Sequence, residues 1–460
     1  MEAKLNPLIF REYDIRGVVG QDLTQDTVRL LGRGIGTLLF QEGARSVAIG
    51  RDCRESSGPF YRALAQGLQA VGLDTVGIGM VPTPLLYFAT HILGVGGGVM
   101  VTGSHNPPKF NGFKVCLGTE ALHGPQIQAI RQRIEIGLPQ APGRPGRSRE
   151  EEVRERYLAL VHGSLRLERP ISVVVDAGNG VGGLVGPEAM RLMGAEVHEL
   201  YCEPDGRFPH HHPDPLVPEN LRALIEEVVR RGAELGVGYD GDGDRLGVVD
   251  GTGRIVWADE LLIFFSREVL ERRPGAPIVF DVKCSSRLMR DIEAHGGRPV
   301  MAATGHSLIR ARLKREGAPL AGELSGHLFF ADEYFGYDDA IYASLRLLRF
   351  LSRSPRPFAE LVGELPPAVA TPEIRVECDD AAKFQVVEEL RAHFRERYET
   401  VEVDGVRVNF PRGWGLVRAS NTQPALVLRF EAEDASSLDA YREEVLGKLR
   451  EYPAVRFPRD

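Results

Sequence analysis

Three aspartates, Asp240, Asp242 and Asp244, stand within five positions of the stretch GYDGDGDRLGVV, and only glycines separate them. Brought to ~4–5 Å, each pair of carboxylates repels by roughly 3–4 kcal/mol at an effective dielectric of ~20, so a loop that converges them needs a cation. Left apart in water they form a solvated turn, a common fate of short Asp/Gly runs. Gly241 and Gly243 supply the backbone freedom that convergence requires. An all-oxygen ligand set favours a hard cation such as Mg²⁺. The calcium loop of an EF-hand does not fit, because counting from Asp240 the sixth position is Arg245 and the twelfth is Gly251.

The stretch TGSHNP puts Ser104 at the end of an apolar run, before Asn106-Pro107, where a sharply turned and exposed side chain is expected. A nucleophile elbow would read GxSxG, and Thr102 and Asn106 occupy its glycine positions, so adjacent His105 does not make this a serine hydrolase. A serine carrying a phosphoryl group would need a metal or arginines beside it. RASNTQP, Arg418 to Pro424, collects a guanidinium, hydroxyls and an amide suited to gripping phosphate. GELSGH combines Glu323, Ser325 and His327, all able to bond sugar hydroxyls, and it reads equally as a capped turn. The three histidines of FPHHHPDP, His210 to His212, lack metal-ligand spacing and read as a structural or supporting loop.

The elements that must position these loops follow from a weak repeat. Three short β-rich runs end in aspartate: SVAIGRD at Asp52, ISVVVD at Asp176 and PIVFD at Asp281. Each is followed by a helix-like stretch, a second apolar run and a third that delivers one of the polar loops, TGSHNP, DGDGDR or ELSGH. That periodicity predicts three α/β units of similar topology, with the loops beyond the carboxyl ends of their strands. The Pro/Gly/Arg connector Leu138 to Arg149, the DGTG turn at Asp250 to Gly253 and ELPPAVATP near Pro366 divide the chain. The expected domains are 1–149, 150–253 and 254–366, with a smaller α+β domain at 367–460. ELPPAVATP also reads as a hinge for that last domain.

Composition narrows the class. The 460 residues are too many for one core. A net charge of −8 opposes nucleic-acid binding and leaves an anionic small substrate open, given local arginines and lysines. No 18-residue apolar run and no apolar N-terminal segment occur, so neither membrane insertion nor secretion is expected, and the location is taken as cytoplasmic. The five cysteines are odd in number, lie far apart and form no CxxC pair, which fits reduced packing residues.

In order along the chain, FREYDIRG, TGSHNPPKFNGFKV, DGDGDR, TGHSLIR, GELSGH and RASNTQP resemble the α-D-phosphohexomutase superfamily, in particular its bacterial phosphomannomutase/phosphoglucomutase branch. The resemblance covers essentially the whole chain. It implies an α/β protein of three similar mixed α/β-sheet domains plus a smaller C-terminal α+β domain around a central cleft. It further implies a Mg²⁺-dependent enzyme that interconverts hexose 1-phosphates and 6-phosphates of mannose and/or glucose. The route would run through a phosphoserine at Ser104 and a bisphosphorylated sugar, with glucose 1,6-bisphosphate or mannose 1,6-bisphosphate as activator.

By the same resemblance, Ser104, Asp240, Asp242 and Asp244 would hold the metal and Arg245 would flank the transferring group. Arg16, Lys114 and His327 would form the proton-transfer neighbourhood, their acid and base roles left open. Tyr13, Lys283, His306, Glu323, Ser325 and His327 would contact the sugar. Arg418, Ser420, Asn421 and Thr422 would hold the non-reacting phosphate. The expected partners are small hexose phosphates, with no nucleic acid, no membrane and no obligate protein.

Leu324 stands where this branch usually has Met. The phosphoglucosamine mutase branch typically reads GEQSGH and SGT in the two late motifs, so Leu324 and Asn421 favour mannose or glucose over glucosamine. Beside this reading stand a phosphoglucosamine mutase, a phosphatase with Asp240 as nucleophile and a non-catalytic sugar-phosphate-binding protein. The phosphatase reading rests on similarity of DGDGD to the DxDGT of haloacid dehalogenase-type enzymes, with Asp244 in place of the final Thr.

Overall fold

The computed structural model describes residues 5–138, 143–420 and 424–457. The chain forms two compact units, one of Met1–Leu261 with Ser325–Gly363 and the other of Leu262–Leu324 with Glu364–Asp460.

In the first unit, strands Gly97–Val101, Ser46–Arg51 and Asp74–Met80 lie side by side and parallel. Phe110–Leu117 pairs antiparallel with Gly97–Val101, and Ile15–Val18 antiparallel with Phe110–Leu117. Helix Ser57–Ala70 is the crossover between two of the parallel strands. It packs, with the Thr24-capped helix Gln25–Gln41, over a core that includes Leu31, Ile35, Phe60, Leu64, Val99 and Phe113. A second sheet in the same unit repeats the order. Leu235–Tyr239, Ser172–Asp176 and Glu196–Leu200 are parallel, and Leu246–Asp250 is antiparallel beside the first of them.

In the second unit, Leu320–Gly322, Pro277–Asp281 and Arg298–Ala302 form the same parallel trio in the same order. The repeat read from periodicity is therefore a repeat of strand order, and in all three cases the loop-bearing strand lies next to the strand that ends in aspartate or, at Asp52, runs directly into one. The C-terminal segment is an antiparallel sheet, from Glu399–Val401 through Val406–Phe410, Gly413–Ala419, Ala425–Ala432 and Ile374–Cys378 to Val455–Arg456. Helices Lys383–Arg395 and Ala435–Leu449 supply Leu390, Phe394, Val445 and Leu449 to the core against it.

Within the second unit the C-terminal sheet is bonded to the loop after Asp281. Buried Arg407 donates to the Val282 and Cys284 carbonyls, each at 2.7 Å, and lies 3.8 Å from the centre of the Trp414 ring. Arg429 donates to the Lys283 carbonyl at 2.5 Å, and Glu431 accepts from Ser286 N, Ser286 Oγ and Trp414 Nε1. Burial pulls the Arg407 guanidinium down to about 10, so a buried charge here rests on hydrogen bonds to carbonyls and on an aromatic face.

One local expectation changes. The polar connector ahead of residue 150 ends in a short strand, Ser148–Glu150, parallel to Asp74–Met80. Its three side chains are exposed, so no hydrophobic alternation announces it. The five cysteines are unpaired, and burial raises the Cys53 and Cys202 thiols to about 12, consistent with packing roles. Among the described residues no helix is long and apolar enough to cross a membrane.

Candidate active site

The parallel ladder that ends at Val101 releases the chain into the Ser104 turn. The antiparallel pair Tyr239↔Leu246 leaves residues 240–245 as the loop between two buried strands. Gly243 has φ +74°, and a Cβ on Gly241 would stand 2.5 Å from the Ser104 carbonyl, so the two glycines let the aspartate loop turn and approach Ser104. All three aspartates are fully buried.

Ser104 Oγ donates to Asp240 Oδ2 at 2.8 Å and lies 3.1 Å from His105 Nδ1. The expectation of an exposed serine fails: Ser104 is 4% exposed because the aspartate loop and His105 cover it. Asp240 Oδ1 accepts from the backbone of Asp244 and Arg245, which folds the loop onto its first residue. Lys114 Nζ donates to Asp242 Oδ2 at 2.7 Å and also to Asp244 Oδ2. Strand alternation explains how Lys114 gets there, since Phe113 and Val115 point into the core and Lys114, paired with Met100, faces the other way.

The charges shift one another. Burial and the neighbouring Asp242 and Asp244 push the Asp240 carboxyl well above the usual carboxylate range. Burial opposes ionisation of Asp242 as well, but Lys114 and a hydrogen bond from Thr83 outweigh it and hold that carboxyl below the usual range. Burial would lower Lys114, and Asp242 and Asp244 override it, so the ammonium keeps its proton. Burial and the cations Arg245, Arg16 and Lys114 keep His105 neutral.

Asp240, Asp242 and Asp244 offer oxygens all within 4.8 Å of one another, and Oδ1 of both Asp242 and Asp244 is buried without a hydrogen bond. Orphaned buried acceptors in an all-oxygen set fit a hard divalent cation.

His327 joins this cluster. Arg245 Nε donates to His327 Nε2 at 3.1 Å, so the ring proton resides on Nδ1, which faces Asp338 Oδ2 at 2.9 Å. Arg16, opposite Gly112 in the ladder and ion-paired with Asp14, acts electrostatically on His105. Tyr13 is half-buried in the bend before Ile15–Val18, and Ser325 is half-buried in the turn before His327.

The other expected residues belong to the second unit. Asp281, ending its strand, accepts from Leu324 N and Thr304 Oγ1, which draws the loops carrying Glu323 and His306 together. Glu323 accepts from Gly305 N, and His306 opens helix His306–Glu316. Buried Lys283 lies 3.3 Å from Glu373. Asp404 links Thr304 N to Arg418 Nε, and the Ser420 carbonyl accepts from Lys383 at 2.6 Å. Asn421 and Thr422 lie outside the described residues.

Sequence reasoning missed Thr83, which donates through both N and Oγ1 to Asp242, and Asp338 beside His327. It named Asp52 only as the end of a β-rich run and passed over Arg54, and the two grip the Ser104 turn. Thr83 sits in VPTP at the corresponding place of the first repeat, the one signal that pointed toward it.

Family models described as phosphoglucomutase/phosphomannomutase alpha/beta/alpha domains I, II and III match residues 7–138, 155–253 and 257–369, and the C-terminal domain matches 373–448. A phosphomannomutase/phosphoglucomutase of Pseudomonas aeruginosa is 47% identical over 444 residues, 96% of this chain and 95% of that protein. A phosphoglucomutase of Neisseria gonorrhoeae is 43% identical over 459 residues, 99% of this chain and 100% of that one. The crystal structure of a phosphoglucomutase/phosphomannomutase family protein from Burkholderia thailandensis superposes with a TM-score of 0.93 at 42% identity, covering 99% of this chain and 100% of that one.

Proposed function

Since the chain belongs to the phosphoglucomutase/phosphomannomutase family, we propose that it is an intramolecular phosphotransferase that interconverts hexose 1-phosphates and 6-phosphates, of mannose and/or glucose, through a phosphoserine at Ser104. The observation that carries this reading is the 2.8 Å approach of Ser104 Oγ to Asp240 among three buried aspartates. A phosphoserine brings a charge of about −1.5 to −2 and needs cations around it. Asp240, Asp242, Asp244 and the Ser104 phosphate are the groups that would hold Mg²⁺, which supplies counter-charge to the phosphoryl group in transfer.

The phosphorylated Ser104 gives its phosphoryl group to the free O6 or O1 hydroxyl of a bound sugar monophosphate. The P–Oγ bond breaks with its electron pair on Oγ, a P–O bond to the sugar forms, the hydroxyl proton passes to the protein and Ser104 Oγ takes up a proton. The 1,6-bisphosphate then turns over and returns its other phosphate to Ser104. A guanidinium such as that of Arg16 offers donors and no acceptor, and Lys114 is committed as a donor to Asp242 and Asp244. His327 remains, with Nε2 able to take the proton once Arg245 turns to the transferring group and with Asp338 beside Nδ1. Arg245 stabilises the charge on the transferring group. Tyr13, Lys283, His306, Glu323 and Ser325 contact the sugar, and Arg418, Ser420, Asn421 and Thr422 hold the idle phosphate.

The test is a parallel assay of mannose, glucose and glucosamine 1-phosphates with Mg²⁺ and a bisphosphate activator, together with the intact mass of the protein. Turnover of the first two and one phosphate on Ser104 are expected. No interconversion at all, or a hydroxylamine-labile phosphate on Asp240, sinks the proposal.

A further inference from the structure

Ser104 has φ +47°, in the left-handed region that a residue with a Cβ avoids unless its surroundings impose it. Arg54 imposes it. Its side chain lies buried inside the turn, where Nη2 donates to the Ser104 and Asn106 carbonyls at 2.6 and 2.5 Å. Nη1 donates to the Pro107 and Phe110 carbonyls at 2.9 and 3.1 Å, and Nε donates to Asp52 Oδ2 at 3.2 Å. A guanidinium has five N–H groups in one plane, and here each has its own acceptor, four of them in a single loop.

Asp52 supplies the counter-charge and extends the grip, accepting from Thr102 Oγ1, Gly103 N and Ser57 Oγ. Residue 103 has to be glycine for this, because a Cβ there would stand 2.6 Å from Arg54 Cζ.

Arg54 is also held from behind. Its Cζ lies 5.1 Å from the centre of the Phe208 ring, and Cys53 Sγ donates to the Asn179 carbonyl at 3.5 Å. The other non-glycine residues with positive φ among those described are Asn179, Tyr201 and Phe208, all in this wall. Tyr201 stacks on His210 at 3.9 Å, and His210 Nδ1 meets Asn179 Oδ1 at 2.7 Å. The histidine-rich loop thus has a structural task next to the nucleophile.

We propose that Arg54 is a positioning residue for phosphoryl transfer at Ser104, fixing the turn from Ser104 to Phe110 so that Oγ faces the aspartate loop, with Phe208 bracing the guanidinium. This rests on the reading of Ser104 as the phosphate carrier. A lysine keeps the charge, but its single ammonium cannot span four carbonyls, and a nucleophile displaced by ~1 Å loses on the order of 100-fold in rate.

The experiment uses the full chain with Arg54→Lys and, separately, Phe208→Leu. It measures kcat and KM on glucose 1-phosphate, the rate at which glucose 1,6-bisphosphate adds one phosphate, and the final phosphate content by intact mass. The final content counts competent molecules, so misfolding and misplacement separate. Arg54→Lys is expected to lower kcat per phosphorylatable molecule about 100-fold, with KM within ~3-fold and the phosphorylation rate falling in parallel. Phe208→Leu is expected to give a loss of about 3- to 10-fold of the same kind. A kcat per phosphorylatable molecule within ~3-fold of wild type for Arg54→Lys, or a loss confined to KM, overturns the proposal. If Arg54→Lys yields no folded protein, an unchanged kcat in Phe208→Leu overturns it instead. A wild type that neither turns over nor takes up phosphate sinks the functional reading itself, and the clamp with it.

Discussion

Ser104 Oγ and Asp240 Oδ2 meet at 2.8 Å although 136 positions separate them in the chain. That hydrogen bond puts the group expected to carry phosphate against the first aspartate of the loop expected to hold the metal. Ser104→Ala is expected to lower mutase turnover by about 10⁴-fold or more and to abolish the one-phosphate mass increment. Near-normal turnover in this variant would falsify the covalent route.

Asp242 is buried with two like charges, and its Oδ1 lacks a hydrogen bond. Asp242→Asn removes the carboxylate that Lys114 and Thr83 hold, so the Tm of metal-free protein should fall, and the stabilisation given by added Mg²⁺ should shrink as well. Turnover should fall at least ~10-fold. A variant with undiminished Mg²⁺ stabilisation would show that the aspartates are not the metal's ligands.

His327 is set by Arg245 on one nitrogen and Asp338 on the other. Removing a positioned proton acceptor typically lowers rates by about 10²- to 10⁴-fold, and His327→Asn should do so in kcat with KM little changed. Steady-state kinetics on both sugar 1-phosphates decide it; a loss in KM alone would make His327 a binding group.

Asp339 caps helix Ala340–Ser352 through Tyr342 N and accepts from the Tyr157 and Tyr334 hydroxyls, and burial pushes its carboxyl up to about 6. A folded value above the unfolded one, ~4, gives stability that is fully present below pH ~4 and is lost as pH rises to ~6. Asp339→Asn keeps the acceptor for Tyr342 and cannot ionise. The stability of wild type relative to this variant should therefore fall by roughly 3 kcal/mol between pH 4 and 7, as read from urea melts at each pH. A constant difference would place Asp339 at an ordinary carboxylate value.

The loops were legible because their signals are local. Glycines between aspartates, a serine before Asn-Pro and apolar runs ending in aspartate each declare themselves within a few residues, and their periodic placement predicts the repeated α/β topology seen here. What stayed hidden depends on contacts between distant segments. Nothing beside Arg54 in GRDCRES marks it, because its carbonyl acceptors lie about 50 positions away and bury it. Thr83 reaches Asp242 across 159 positions. Ser104 looked exposed because covering groups cannot be counted from its own neighbours, and Ser148–Glu150 forms a strand without an apolar face.

The bonds from Arg407, Arg429 and Glu431 to the loop after Asp281 bear on which parts of the second unit move together. They splice the C-terminal sheet to the segment that carries Lys283, while Asp404 ties Arg418 to the loop of His306. A swing of the C-terminal sheet alone about ELPPAVATP would break this buried wiring. The groups expected on the sugar and those expected on its idle phosphate therefore keep a set spacing, like the jaws of a caliper locked at one opening.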